Sequence, residues 1–307
     1  MRLTIFAAMA ALLVAALCVP TVFDDTALLF AATYAVVRGA QIVLFVLASR
    51  DDPGLRHSVL GLAVSTAIGT GLLVVASFAD GALQGAIWAL ALGLDMGGPL
   101  VIDTEGWRLE PHHFAERHGL IVLIALGESI VAIGVGAEAG VDAGVVTAAV
   151  IGTIVSAALF WLYFDVVALV ARRRLENAAP GRERNEIARD SFSFLHFPMV
   201  AGIVLVALGI EEALPHVDEH LHTVPAVALF GGAAVYLLAH VAFRWRNVHR
   251  FSSQRLVAAA VCVALIPVAM SVPALGMADQ HPEAAVAQLA RARRRRGRRA
   301  ARRARRA

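Results

Sequence analysis

The stretch HGLIVLIALGESIVAIG, residues 118–134, decides how this chain is read. It is apolar almost throughout and close to the roughly 20 residues that cross hydrocarbon as a helix. Yet Glu128 stands near its middle, with Ser129 beside it. Apolar runs of similar length recur along the 307 residues, 59% of which are hydrophobic, with a mean hydropathy of +0.70. Soluble domains average about 45–50% apolar. The fold class that fits is all-α, a polytopic transmembrane helix bundle of about nine spanning helices. The alternating apolar segments of a β-barrel are absent from the sequence. The spans expected are 3–20, 27–49, 58–79, 82–102, 113–136, 144–170, 193–210, 224–243 and 254–276. The first is no signal peptide, because LCVPTVFDD lacks a small-x-small cleavage site and eight further spans follow.

Charge divides the chain into a membrane domain, 1–277, and an Arg-rich tail, 278–307, expected to be disordered. All 27 basic residues are Arg, and eleven of them fall between Arg291 and Arg306. The remainder carries 16 Arg against 24 acids, so the basic balance belongs to the tail and gives the body no nucleic-acid partner. The loops SRDDPGLRH (49–57), ARRRLENAAPGRERNEIARD (171–190) and RWRNVHRFSSQR (244–255) hold two, six and four Arg. TVFDDT, ADG, GAEAGVDAG and EEALPHVDEHLHT, on the other side if spans alternate, hold none. The positive-inside rule therefore places the Arg loops and the amino terminus in the cytoplasm, with the lipid bilayer as the protein's partner. Nine spans then place the tail outside, against the same rule. The tail reads either as a basic segment touching anionic headgroups or as the product of a shifted reading frame in GC-rich DNA.

Ionisable groups inside spans are costly and mark functional sites by default. Arg38 is central in ALLFAATYAVVRGAQIVLFVLAS, and Asp95 interrupts AIWALALGLDMGGPLVI. Asp165 and His240 lie nearer the cytoplasmic ends. In the fifth span Arg117 and Glu128 return to one helix face within about 20°, separated by about 16 Å along the axis. His113, Arg117, Ile121, Ile124 and Glu128 form one stripe; Glu116, Gly119, Leu123 and Gly127 form the next. Such a surface suits a polar crevice with a close helix neighbour. Glu128 needs a partner or a proton, and Arg38 is the cation at comparable depth. The expected contact is Glu128–Arg38 or Asp95–Arg38. His196 is either a proton relay or a donor across helices, and Pro198 is expected to kink its helix.

His216 and His220, like His112 and Glu116, have the i, i+4 spacing of a metal pair. The first pair sits in a polar, Pro-containing loop and the second in a membrane-surface helix, so no metal or other cofactor is assigned. Cys18 and Cys262 lie in apolar runs with no paired spacing and read as buried thiols. No P-loop, GxSxG, HExxH or GxGxxG is present.

HFAERHGLIVLIALGESIVAIGVGA (113–137) resembles the signature of the bacterial low temperature requirement protein A family. FWLYFDVVA (160–168), DSFSFLHFPMVAGIVLVALGIEEAL (190–214) and GGAAVYLLAHVAFRWR (231–246) agree with it. The resemblance covers roughly residues 1–276. It implies an integral protein of the bacterial cytoplasmic membrane associated with growth at low temperature. It supplies no molecular activity. Its motif positions here are Glu116, Arg117, Gly127, Glu128, Ser129, Asp165, His196 and Pro198. The family's usual earlier span and terminal apolar helix are both missing from the pattern, so the start at Met1 is expected to be misassigned or truncated.

Three functions remain open. The first is a transporter or channel-like protein with a mid-membrane Glu site and a small-molecule or ion substrate. Its binding candidates are Glu128, Arg117, Glu116, Ser129, Arg38, Asp95, Asp165 and His196. The second is a membrane-embedded enzyme acting on lipid. The third is a structural or sensory protein whose charges serve packing. No catalytic residue is assigned, and the sequence names neither the substrate nor the oligomeric state.

Overall fold

The computed structural model describes residues 2–101, 106–137, 140, 142–217 and 219–271. The Arg-rich tail and Asp218 lie outside them. Among the described residues, nine helical segments occupy the nine expected places: α1 (Arg2–Cys18), α2 (Ala27–Ala48), α3 (Pro53–Ala76), α4 (Gly81–Val101) and α5 (Pro111–Gly136), then α6 (Ala143–Asn177), α7 (Arg182–His216), α8 (Thr223–Val248) and α9 (Ser253–Ala269). There is no β-strand among the described residues. Seven of the segments are long and apolar enough to cross a membrane. The other two are α4, whose apolar run is diluted by Gln84, Asp95 and several glycines, and α9, which is shorter.

Several helices outrun their apolar cores. α3 starts at Pro53, with the Asp52 side chain accepting from Leu55 N–H at 3.1 Å and proline at the first helical position. α6 continues to Asn177 and α7 begins at Arg182, well into the Arg-rich stretch. Those polar turns carry i, i+4 pairs, Arg172–Glu176 at 2.8 Å and Arg182–Glu186 at 2.9 Å. Apolar length marks the hydrocarbon, and the helix is free to extend past it.

The chain divides into two compact units. One comprises Met1–Phe114 with Arg172–Asp190; the other comprises Ala115–Ala171 with Ser191–Ala307. In the first, α1, α2, α3 and α4 pack as successive neighbours. α3 and α4 form an antiparallel hairpin closed at its open end. Gly106, at φ 85°, lies so close to Gly54 and Leu55 that a Cβ there would overlap their backbone. Arg108 pairs with Asp52 at 3.2 Å. α4 thus returns to the end where α3 began and covers about 31 Å with its 21 residues. The Arg-rich segment joins that end: buried Asn185 donates to the Trp107 carbonyl at 3.0 Å, and Arg189 to the Pro99 carbonyl at 3.2 Å. Two of the three Arg loops expected on one side therefore meet there.

In the second unit α8 is central, packed against both α7 and α9. Its contact with α7 runs through glycine. A Cβ on Gly202 would stand 2.7 Å from the Gly232 carbonyl oxygen, and one on Gly209 2.5 Å from Leu229 N. Backbones approach this closely only where small residues allow it.

Among the described residues, three helices widen into π turns, at Tyr163–Val167, Ala188–Phe194 and Val227–Gly231. The second ends at Phe194, four residues before Pro198. Proline lacks the N–H that would bond the carbonyl four residues back, that of Phe194, and its ring crowds that oxygen. The chain accommodates this by ending the π turn there and restarting α-helix at His196.

Candidate functional site

Each unit holds a buried polar centre. In the first, Arg38 of α2 donates from Nη2 to Asp95 Oδ1 of α4 at 2.5 Å and to Thr66 Oγ1 of α3 at 2.9 Å. Its Nη1 donates to Gln41 Oε1 at 2.9 Å. Thr66 also donates to Asp95 Oδ1, at 3.2 Å, and Tyr34 donates to Oδ2 at 2.5 Å. Both carboxylate oxygens are thus satisfied by three helices converging on one point. Of the two contacts expected for Arg38, the one with Asp95 is formed. Gly69 makes room for it, since a Cβ there would lie 3.1 Å from the Ala91 carbonyl and 3.3 Å from Asp95 Cβ. Ala31, Leu73 and Ala91 form a buried apolar cluster nearby, with Phe30, Tyr34 and Trp88 against it. The charged side chains keep 18% and 12% exposure, so the pair is largely but not wholly sealed.

In the second unit, His196 is 4% exposed. Its Nδ1 lies 2.8 Å from the Ser191 carbonyl, which can only accept, so Nδ1 carries the proton. In the neutral ring Nε2 is then an acceptor, and the Tyr163 hydroxyl donates to it at 2.8 Å. Phe192 stacks on the imidazole at 5.2 Å between centroids, and Phe243 and His118 meet it edge-on. Ser191 and Asn247 hydrogen-bond each other through their side chains, which ties the π turn of α7 to α8. His240 is 1% exposed. Its Nδ1–H donates to the Tyr236 carbonyl at 2.9 Å, which leaves Nε2 as a buried acceptor with no partner among the described residues. The Tyr236 hydroxyl is engaged with the Leu159 carbonyl at 2.6 Å.

The remaining candidates are dispersed. Glu128 stands on an exposed face of α5, and Ser129 beside it is fully buried, its hydroxyl unpartnered among the described residues. His113, Arg117, Ile121, Ile124 and Glu128, read as one stripe, are not buried, and Glu128 at its end is exposed. Within the second unit, Arg117, Ile121, Ile124 and Glu128 share an exposed helix face. Helical periodicity shows which residues share a face and not what that face meets. Nor does Gly127 meet a close neighbour, since nothing lies within 4 Å of where a Cβ would stand. Glu116 is exposed near the start of α5. Asp165 is exposed in the π turn of α6, where it lines a groove of about 480 Å³ with Trp161 and Arg255 of α9. His216, His220 and His222 form a loose ring cluster, with centroids 6.4 Å apart for the two contacting pairs. Among the described residues no group of three His, Cys, Asp or Glu is placed to hold a metal ion. Cys18 is buried, and Cys262 is only partly so.

Sequence reasoning missed Thr66 and Tyr163. Thr66 is an ordinary helix residue until α2 and α4 are placed around it. Tyr163 carried a signal, two residues from the motif residue Asp165.

These features define a class: a polytopic helical membrane protein with polar centres buried among its helices. The family model described as Bacterial low temperature requirement A protein (LtrA) matches residues 1–290, and the chain belongs to that family. An uncharacterized protein of Rhizobium meliloti (strain 1021) is 25% identical over 247 residues, covering 77% of this chain and 60% of that protein. The chain thus spans less than two thirds of that relative's length. No solved structure matches it.

Proposed function

We propose that the protein is a transporter or channel-like protein that moves a small molecule or ion across the bacterial cytoplasmic membrane and supports growth at low temperature. The Arg38–Asp95 centre carries this reading. A charged pair held by three apolar helices is costly to bury, and packing alone needs neither charge. Its residual exposure supports access for a solute. Liposomes holding the purified protein should pass Na⁺, K⁺ or Cl⁻ faster than empty ones, as read by ion-sensitive dyes. A wild-type protein that restores growth in the cold yet leaves every one of these gradients unchanged counts against the reading.

Glu128 is a second binding candidate. Because its side chain is exposed, Glu128→Gln removes a charge without opening a packed contact. The expected result is normal accumulation in the membrane with growth at low temperature abolished. Normal cold growth of the variant removes Glu128 from the site.

We further propose that the Arg loops face the cytoplasm. In a variant with both native cysteines replaced, Asp51→Cys and Arg173→Cys should react with an impermeant thiol reagent only after the membrane is opened. Asp24→Cys should react in intact cells. The opposite pattern inverts the orientation.

A further inference from the structure

We propose that the second unit contains a proton-transfer site, in which a water bridges His240 Nε2 to the Tyr163 hydroxyl and a proton passes on to His196. The site is separate from Arg38 and Asp95 and does not rest on the reading given to them.

Three observations carry it. First, His240 Nε2 is an acceptor at a nearly sealed position with no donor among the described residues. A buried group of this kind calls for a water or a proton. Second, the ring of Tyr163 is its neighbour, edge-on at 6.3 Å between centroids, and the Tyr163 hydroxyl is already committed as donor to His196. That hydroxyl oxygen retains acceptor capacity, so a donor arriving from the His240 side completes a chain. Third, the backbone is built around this chain. Tyr163 opens one π turn, and His196 lies two residues past the end of another. π turns inside α-helices occur frequently at functional sites.

The step balances without any further reactant. His240 takes a proton at Nε2 and becomes an imidazolium, with Nδ1–H still on the Tyr236 carbonyl. The Nε2 proton passes through the water to the Tyr163 oxygen as the hydroxyl's own proton moves to His196 Nε2. Tyr163 ends neutral, His240 returns to neutral, and His196 becomes the imidazolium with Nδ1–H still on Ser191. One proton has moved and no tyrosinate has formed.

Charged and titratable groups lie close by, Arg255 of α9 among them. Asp165, an exposed carboxylate two residues from Tyr163, lines a groove with Arg255. Within α8, Tyr236 faces His240, and the imidazole of His118 on α5 lies 5.4 Å from that of His196.

The test is proton flux into liposomes that hold the full-length protein and pyranine, driven by a potassium diffusion potential with valinomycin. Wild-type protein should acidify the interior faster than empty liposomes. Tyr163→Phe keeps the ring and removes the hydroxyl, and should slow flux at least tenfold. His240→Gln should do the same while leaving the Tyr163–His196 bond intact, so it carries the test if Tyr163→Phe does not fold. Wild-type flux equal to that of empty liposomes, or a folded variant as fast as wild type, overturns the relay. Protons passing without other solutes supports the relay and not the transporter reading; solutes passing without protons does the reverse.

Discussion

Asp95→Asn should lower the yield of folded protein and abolish growth at low temperature together. The substitution leaves the Arg38 guanidinium inside three helices with no counter-charge. Breaking a buried pair from one side costs about 3–5 kcal/mol, because the surviving charge stays desolvated. The loss here falls near the lower end, since Tyr34 and Thr66 can still bond an amide and the side chains keep some exposure. Arg38→Lys should fail as well. An ammonium cannot reproduce the planar fork that reaches Gln41, Thr66 and Asp95 at once. The informative variant is Arg38→Leu with Asp95→Leu, which removes both charges. It should restore accumulation and melting temperature in detergent but not growth in the cold. If the double variant grows normally, the pair serves packing alone and the transporter reading loses the observation that carries it.

The same residues show what was legible in the sequence. Arg38 and Asp95 announce themselves because a charge amid apolar residues breaks a composition rule that hydrocarbon enforces. Helix positions follow from the same rule, so all nine segments fall where the apolar runs lie. Helix ends do not, because a helix leaving the bilayer needs only hydrogen bonds and polar pairs, as Arg172–Glu176 and Arg182–Glu186 supply. What Thr66 and Tyr163 bond to is hidden for another reason. Their roles exist only across helices, and no periodicity within one helix encodes a neighbour. Glu128 lies between these cases: its depth and its stripe are readable, but the surface that stripe meets is not.

The largest purely structural effect should come from glycine. Gly202 and Gly232 face each other where α7 and α8 touch, and a Cβ on Gly202 would lie 2.7 Å from the Gly232 carbonyl and 2.8 Å from Tyr236 N. Those neighbours are backbone atoms of a packed helix, so neither can rotate aside. Gly202→Leu must push the helices apart, at a cost above about 3 kcal/mol when strain and lost contacts combine. Gly202→Ala should already lower the melting temperature measurably. Gly39→Ala in α2 and Gly71→Ala in α3 are the controls, because a Cβ at either meets nothing within 4 Å. Alanine there should stabilise by roughly 0.5–1 kcal/mol through the unfolded chain's lost freedom. The consequence reaches the proton chain, since Tyr236 supplies the carbonyl that fixes the His240 ring and sits directly on the Gly202 contact. Separating α7 from α8 moves His196 and His240 on different helices relative to one another. Gly202→Ala should therefore slow proton flux by more than its loss of stability accounts for, while Gly39→Ala leaves flux unchanged. A Gly202→Ala protein that melts and conducts like wild type would show that the helices part at no cost, and that the register of the two histidines is not set by this contact.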